Sequence, residues 1–357
     1  MDYKYLLALN HHTQIGSGTL RKILAVCPDP SVIWLHKKYD KQKLGEKILK
    51  IIEEVVAEID PDEVVANLIQ KDIGYVTIFD KEYPKLLKTT NDCPVILYIR
   101  GDISAINRKA IAVVGSRKYT NYGKGATLKI VKECASSGLC IVSGLALGID
   151  TYAHQGALAV GGITVGVLGC GLDRIYPASN YQLGKDILAS KGAIISEYPP
   201  GTIPTKFNFP MRNRIVAGMT LGTLVVEAAS ESGALITAYQ ALDYNRDVFA
   251  VPGNIDSDAS VGTNKLIQAG AKLVMSGNDV LVELGIKSKM SEESAKVAEP
   301  ENDEEKLIYE ILRTGEKLVD QIIHESKMNI VEINATITMM ELKGLIVNSG
   351  GGKYKLK

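Results

Sequence analysis

Ala110–Gly123 reads AIAVVGSRKYTNYG. Small apolar residues run unbroken from Ala110 to Val114, and a turn of Gly115, Ser116 and Arg117 follows. A run that is apolar on both faces is a strand buried inside a parallel sheet. Glycine and serine directly after it let a ligand approach the backbone, and a helix N-terminus beyond them favours an anion. Arg117 adds a planar pair of donors suited to a phosphate. Two familiar phosphate sites are excluded. A dinucleotide fold asks for G-x-G-x-x-G and an acid about twenty residues on. Here the turn reads G-S-R-K-Y-T, and the next apolar run ends in Ser143-Gly144. A P-loop asks for a hydroxyl directly after Gly-Lys, and YGKGAT lacks it.

Five more apolar runs follow: CIVSGLA, ITVGVLG, AIISEY, TLVVEA and DVFAVPG. Helical patterns separate them, among them GATLKIVKECASSG, DTYAHQGALAVG, YQLGKDILASKG and SGALITAYQALDYN. This alternation over residues 106–286 predicts an α/β domain with an extended Rossmann-like parallel sheet. Its ligand is expected beyond the carboxyl ends of the strands. At the second of these ends, SGLALGID, Gly144 and Gly148 either admit an anion or merely allow a tight turn.

Residues 1–105 read as a helical N-terminal domain with a connector. KQKLGEKILKIIEEVVAEI places Leu44, Ile48, Ile51, Ile52, Val55, Val56 and Ile59 on one stripe. IGSGTLRKIL resembles the turn of a helix-hairpin-helix module, which can donate backbone N–H groups to a phosphate. A plain interhelical turn is the preferred reading. FDKEYPKLL and CPVILYIRGD read as a connector and a strand. Residues 287–306 are charged and poor in apolar residues, as in a linker. Residues 307–357 regain helical period: Leu307, Ile308, Ile311 and Leu312 form one stripe, and KLVDQIIHES a second helix. Asn329 with Glu332 caps a third, which Gly344 ends, and LIVNSGGGKYKL is a hairpin. Three helices and a hairpin make a winged helix.

The stretch after the fourth strand, SEYPPGTIPTKFNFPMRNRIVAG, reads as a flexible loop. It carries no acid between Glu197 and Glu227, while Lys206, Arg212 and Arg214 fall in that gap. The chain has 4 Phe, and two of them, Phe207 and Phe209, are interleaved with these cations. Cations neutralise a polynucleotide backbone and aromatic faces stack on unpaired bases, so the loop suits a single strand. One phenylalanine is expected in the core and the other on the solvent side. Asn213 either hydrogen-bonds a base edge or caps the following helix.

With 41 Lys+Arg against 41 Asp+Glu among 357 residues, any nucleic-acid surface must be a local patch. The five cysteines form no C-x-x-C pair and read as buried, reduced thiols of a cytosolic protein. No segment has the pattern of a secretory signal or of a membrane span, and nothing has metal-ligand spacing. Of the five histidines only His154 lies near a strand end, where it is expected along a helix, partly buried.

VVGSRKYTNYG, IVSGLALGIDTYAHQGAL, GVLGCGLDRIYPASN, ISEYPPG, FPMRNRIVAG, VVEAASESGALITA and VFAVPGNI together resemble the DNA-processing protein A (DprA/Smf) family. The resemblance implies a Rossmann-like domain that binds single-stranded DNA and forms a homodimer. It implies a SAM or helix-hairpin-helix-like domain before it and, in many members, a winged helix after it. The implied role is non-catalytic and needs no cofactor: incoming DNA is protected during natural transformation and loaded with the RecA recombinase, in the cytoplasm. The implied DNA pocket is Gly115, Ser116, Arg117, Lys206, Phe209, Arg212, Asn213 and Arg214, so the opening turn would hold an internucleotide phosphate. The third helix of the tail carries Glu332 and Glu341 against Lys343, poor chemistry for a major groove, so the winged helix reads as a protein-contact or accessory module, with weak duplex contact as the lesser option. The sheet also looks like the nucleoside-monophosphate phosphoribohydrolases of the lysine-decarboxylase-like group. Their P-G-G-x-G-T-x-x-E signature is only echoed, by Gly222-Thr223 and Glu227, because AGMTL lacks Pro-Gly-Gly.

Overall fold

The computed structural model describes residues 2–35, 41–287 and 300–356. It divides into two compact units, Met1–Ser288 and Lys289–Lys357. In the first, all six apolar runs are strands of one sheet. Labelled in chain order these are β1 (Gly74–Thr77), β2 (Ile96–Gly101), β3 (Ala110–Val114), β4 (Cys140–Ser143), β5 (Thr164–Leu168), β6 (Ala193–Ser196), β7 (Gly222–Val225), β8 (Asp247–Ala250) and β9 (Lys272–Leu273). Their order is β1-β2-β6-β5-β4-β3-β7-β8-β9. From β6 to β9 every pairing is parallel. Every residue of β3, β4 and β5 is buried, as strands covered by helices on both faces require.

The chain winds one way from β3 through β4, β5 and β6, then returns beside β3 to wind the other way through β7, β8 and β9. The neighbouring ends of β4, β3 and β7 therefore form the switch point where open α/β sheets leave a crevice.

The sheet reaches back to Gly74, across the boundary expected at residues 105–106. β2 pairs antiparallel with β6, Tyr98 opposite Ser196, and β1 pairs antiparallel with β2. The helices of the first seventy residues pack on the same sheet: Leu6, Leu9, Leu20, Ile23, Ile52 and Val55 share one apolar core with Val95, Ile96 and Tyr98. The helix carrying the stripe is Glu46–Glu58, and Leu44 sits on a separate short turn before it.

The stretch expected to be a loop after β6 holds a helix, Asn208–Gly218. Pro210 lies in its first turn, where a missing N–H costs nothing. Two further helices, Val261–Gln268 and Gly277–Glu283, follow β8 and β9.

The second unit has helices Asp303–Arg313, Val319–Ser326 and Ile330–Leu342 and a sheet of Lys317–Leu318, Ile346–Gly350 and Lys353–Leu356. The linker expected at 287–306 falls mostly outside the described residues, and the helix starting at Asp303 takes its end. Ile308 and Leu312 enter the core with Ile322, Ile333, Ile337 and Met340, but Leu307 is exposed. Asn329 and Glu332 make the reciprocal capping box.

Candidate nucleic-acid interface

At the switch point lies a groove of about 1060 Å³. The end of β3 lines it with Gly115, Ser116 and Arg117, and the stretch after β6 with Lys206, Phe209, Arg212 and Asn213. Seven of the eight expected site residues thus meet in one groove.

The eighth does not. Arg214 is 3% exposed and pairs with Glu197, while its Nη1 donates to the Asp92 carbonyl at 2.6 Å. Burial pushes the Glu197 carboxyl up, and the Arg214 charge pulls it back down. Ser17 donates its hydroxyl to the same carboxylate at 3.2 Å. The glycine-broken N-terminal turn is therefore hydrogen-bonded, through Ser17, to a buried ion pair of the sheet domain. Arg214 is a structural residue, because its helix turns it toward Glu197 and away from the groove.

Arg212 forms the groove floor. It is 4% exposed and its Nη1 donates to the carbonyls of Gly144 and Val167, at the ends of β4 and β5. Its guanidinium fills the space a side chain at position 144 would need, which is why that position is glycine. Gly148 has φ +85 and packs its backbone against Ser116 and Arg117. Asp150, the acid beneath, accepts from Gly144 N at 3.1 Å and Ala146 N at 3.4 Å. Burial raises the Asp150 carboxyl, and Arg212 opposes that rise. Of the two readings of the β4 turn, the tight turn fits, because the amides of Gly144 and Ala146 are already spent on a carboxylate. His154, expected partly buried, is fully buried, its Nδ1 2.7 Å from Thr164 Oγ1, and burial lowers it to about 3.

The rim is different. Arg117 and Lys206 are exposed and make no ion pair among the described residues. The Arg117 guanidinium lies 5.4 Å from the Phe209 ring centre. Phe209 is half-buried and stacks on Tyr176 at 5.7 Å with a 25° interplanar angle. Phe207 is 85% exposed, so neither phenylalanine enters the core. Asn213 sits inside the helix and caps nothing. Its Oδ1 accepts from Arg212 Nε at 3.1 Å and its Nδ2 donates to the Gly233 carbonyl at 3.4 Å.

Sequence reasoning missed Tyr176, whose ring flanks the pocket, and the far wall. That wall runs over Ala229–Thr237 and carries the exposed Glu231, with Asp258 beyond it. The groove is therefore cationic on the β3 and β6 side and acidic opposite. A polyanion in it must follow the Arg117 side.

The geometry defines a Rossmann-like domain whose switch-point groove joins exposed cations to ring faces. The chain belongs to the DNA recombination-mediator protein A family, DprA/Smf: the family model matches residues 74–285, and that of the DprA winged helix domain matches 292–352. DNA processing protein DprA of Bacillus subtilis is 43% identical over 222 residues, 62% of this chain and 74% of that protein. Protein Smf of Synechocystis is 34% identical over 345 residues, 86% of each chain. The structure of Streptococcus pneumoniae DprA aligns with TM-score 0.67 at 36% identity, covering 78% of this chain and 97% of that one. The Helicobacter pylori protein, solved for its single-stranded DNA binding mode, aligns with TM-score 0.54 at 31% identity, covering 60% and 97%.

Proposed function

We propose that the chain binds single-stranded DNA in the switch-point groove, protects it, and passes it to a RecA recombinase, acting as a homodimer and breaking no bond in the strand. The observation that carries this reading is the rim: unpaired Arg117 and Lys206 beside the stacked Phe209 and Tyr176. Cations take the internucleotide phosphates and the ring faces take unpaired bases, without reading sequence. The single-stranded DNA binding mode for which the Helicobacter pylori relative was solved supports it. Two grooves on one strand raise the overall affinity without new contacts.

A phosphoribohydrolase would draw on Glu227. That carboxylate is 2% exposed and accepts from Thr120 N at 2.9 Å and from the Thr120 hydroxyl, so it serves the start of the helix Asn121–Ser136. The test is a filter-binding titration with single- and double-stranded oligonucleotides, run beside an incubation with nucleoside monophosphates. Binding to single strands without release of free base is expected. Preference for duplex, or steady base release, contradicts the reading. The hand-over is read from the rate at which RecA covers a strand already bound.

In the winged helix, Lys343 is tied to Glu301 at 2.6 Å and Glu305 at 2.7 Å. On the same helix Val331 and Leu342 are 74% and 78% exposed. This unit is read as a protein-contact or accessory module.

A further inference from the structure

Directly after the Arg117 turn the chain presents a second aromatic pair. Tyr119 and Tyr152 meet edge to face, ring centres 4.8 Å apart at 75°, and their hydroxyls are 2.6 Å apart. The Lys124 ammonium lies 5.0 Å from the Tyr152 ring centre. Among the described residues neither ring belongs to an apolar core of the sheet, and Tyr119 is 39% exposed. The pair is held in register with the primary groove. Tyr152 sits in the first turn of the helix Ile149–Leu158, whose Ile149 N–H donates to the Ser116 carbonyl at 3.2 Å.

The charge pattern leads the same way. No acid lies between Asp102 and Glu133, and Arg117, Lys118 and Lys124 fall in that interval. The acids of the groove are Glu231 and Asp258 on the far wall and Asp150 beneath the floor. A strand whose phosphates follow the cationic wall leaves the groove past Arg117 and Lys118, onto Tyr119.

We propose that Tyr119 and Tyr152, with Lys124, form a second stacking shelf that takes one further unpaired base of a strand running out of the groove. This rests on the proposed single-strand reading and extends its path. Tyr119 offers the ring face, Tyr152 fixes its angle, and Lys124 meets the adjoining phosphate. The shelf recognises the base by its flat face, so it tolerates any sequence.

The test is an affinity series with oligothymidylates of about 4–16 nucleotides. For wild type, affinity is expected to step up at the length that spans from Phe209 to Tyr119. Tyr119→Ala removes the step, about tenfold on the longer oligomers, and Tyr119→Phe restores it because stacking needs the ring alone. Lys124→Ala lowers the salt slope by about 0.7 on long oligomers. Equal affinities of wild type and Tyr119→Ala at every length overturn the shelf while leaving the groove intact. A Tyr119→Phe variant as weak as Tyr119→Ala overturns stacking. Wild type that binds no oligomer overturns the single-strand reading and the shelf with it. Should Tyr119→Ala misfold, wild type is photo-crosslinked to oligomers carrying 5-iododeoxyuridine. Adducts on Tyr119 or Tyr152 support the shelf, and adducts confined to Phe209 and Tyr176 overturn it.

Discussion

Lys206 and Arg214 stand eight positions apart in the same acid-free stretch and do opposite work. Lys206 projects from the rim into solvent, whereas Arg214 is buried against Glu197 and Arg212 is buried in the floor. A rim cation has little to do until a polyanion arrives. A floor cation is already committed to carbonyls and a carboxylate. A count of basic residues along the chain therefore overstates the accessible cationic surface, and the structure divides that count into buried and exposed cations.

The sharpest break of this division is Arg214→Ala. It leaves the buried Glu197 charge uncompensated and is expected to cost about 3–5 kcal/mol of folding stability, read in a denaturant titration. A soluble variant of full stability that merely bound DNA less well would move Arg214 to the rim. A second buried residue, His154, shapes the pH response. Its ring is neutral when folded, held near 3 against an ordinary 6.5, so unfolding takes up a proton as pH falls between those values. Stability should drop by up to about 1.4 kcal/mol per pH unit below 6.5 from this group. Asp150 and Glu197, held high by burial, act in the opposite sense because they bind protons more readily when folded. Comparing wild type with His154→Gln isolates the histidine, and identical pH curves would contradict its burial as a neutral ring.

On the rim the effects fall on binding. Phe209→Ala should lose about 1–3 kcal/mol of affinity for single strands with little change in salt slope. Unfolding instead would return that ring to the core. Arg117→Ala and Lys206→Ala should each weaken binding about fivefold at physiological salt and lower the salt slope by about 0.7, alike for all sequences. An unchanged slope would mean the cation touches no phosphate. Smallest of all, removing residues 300–357 should change single-strand affinity less than twofold, because Lys343 is already paired within its own unit. A large loss by gel shift would make the winged helix a second DNA surface.

The strands of the parallel sheet were legible because each is a short run apolar on both faces, a signal that needs no partner to read. The rim was legible for a similar reason: Arg117 follows its strand directly, and Lys206 and Phe209 lie in a stretch free of acids. What stayed hidden depends on distant partners. The burial of Arg212 requires the Gly144 and Val167 carbonyls, and that of Arg214 requires Glu197 and Asp92, none of them neighbours in sequence. The helix Asn208–Gly218 is buried throughout Arg214–Gly218 and so shows no amphipathic stripe, and Pro210 masks its start. CPVILYIRGD reads as a strand, but its place in the sheet is hidden because the antiparallel pairing of β2 with β6 joins segments nearly a hundred residues apart.

Arg212 holds the ends of β4 and β5 through one guanidinium nitrogen. The two strand ends it ties are fixed to each other beneath the groove. On the proposed reading, capture needs no opening of this floor, and the entropy lost on association falls on the polymer rather than on the protein. Encounter rates should accordingly track ionic strength through diffusion alone, with no slow rearrangement following the first collision.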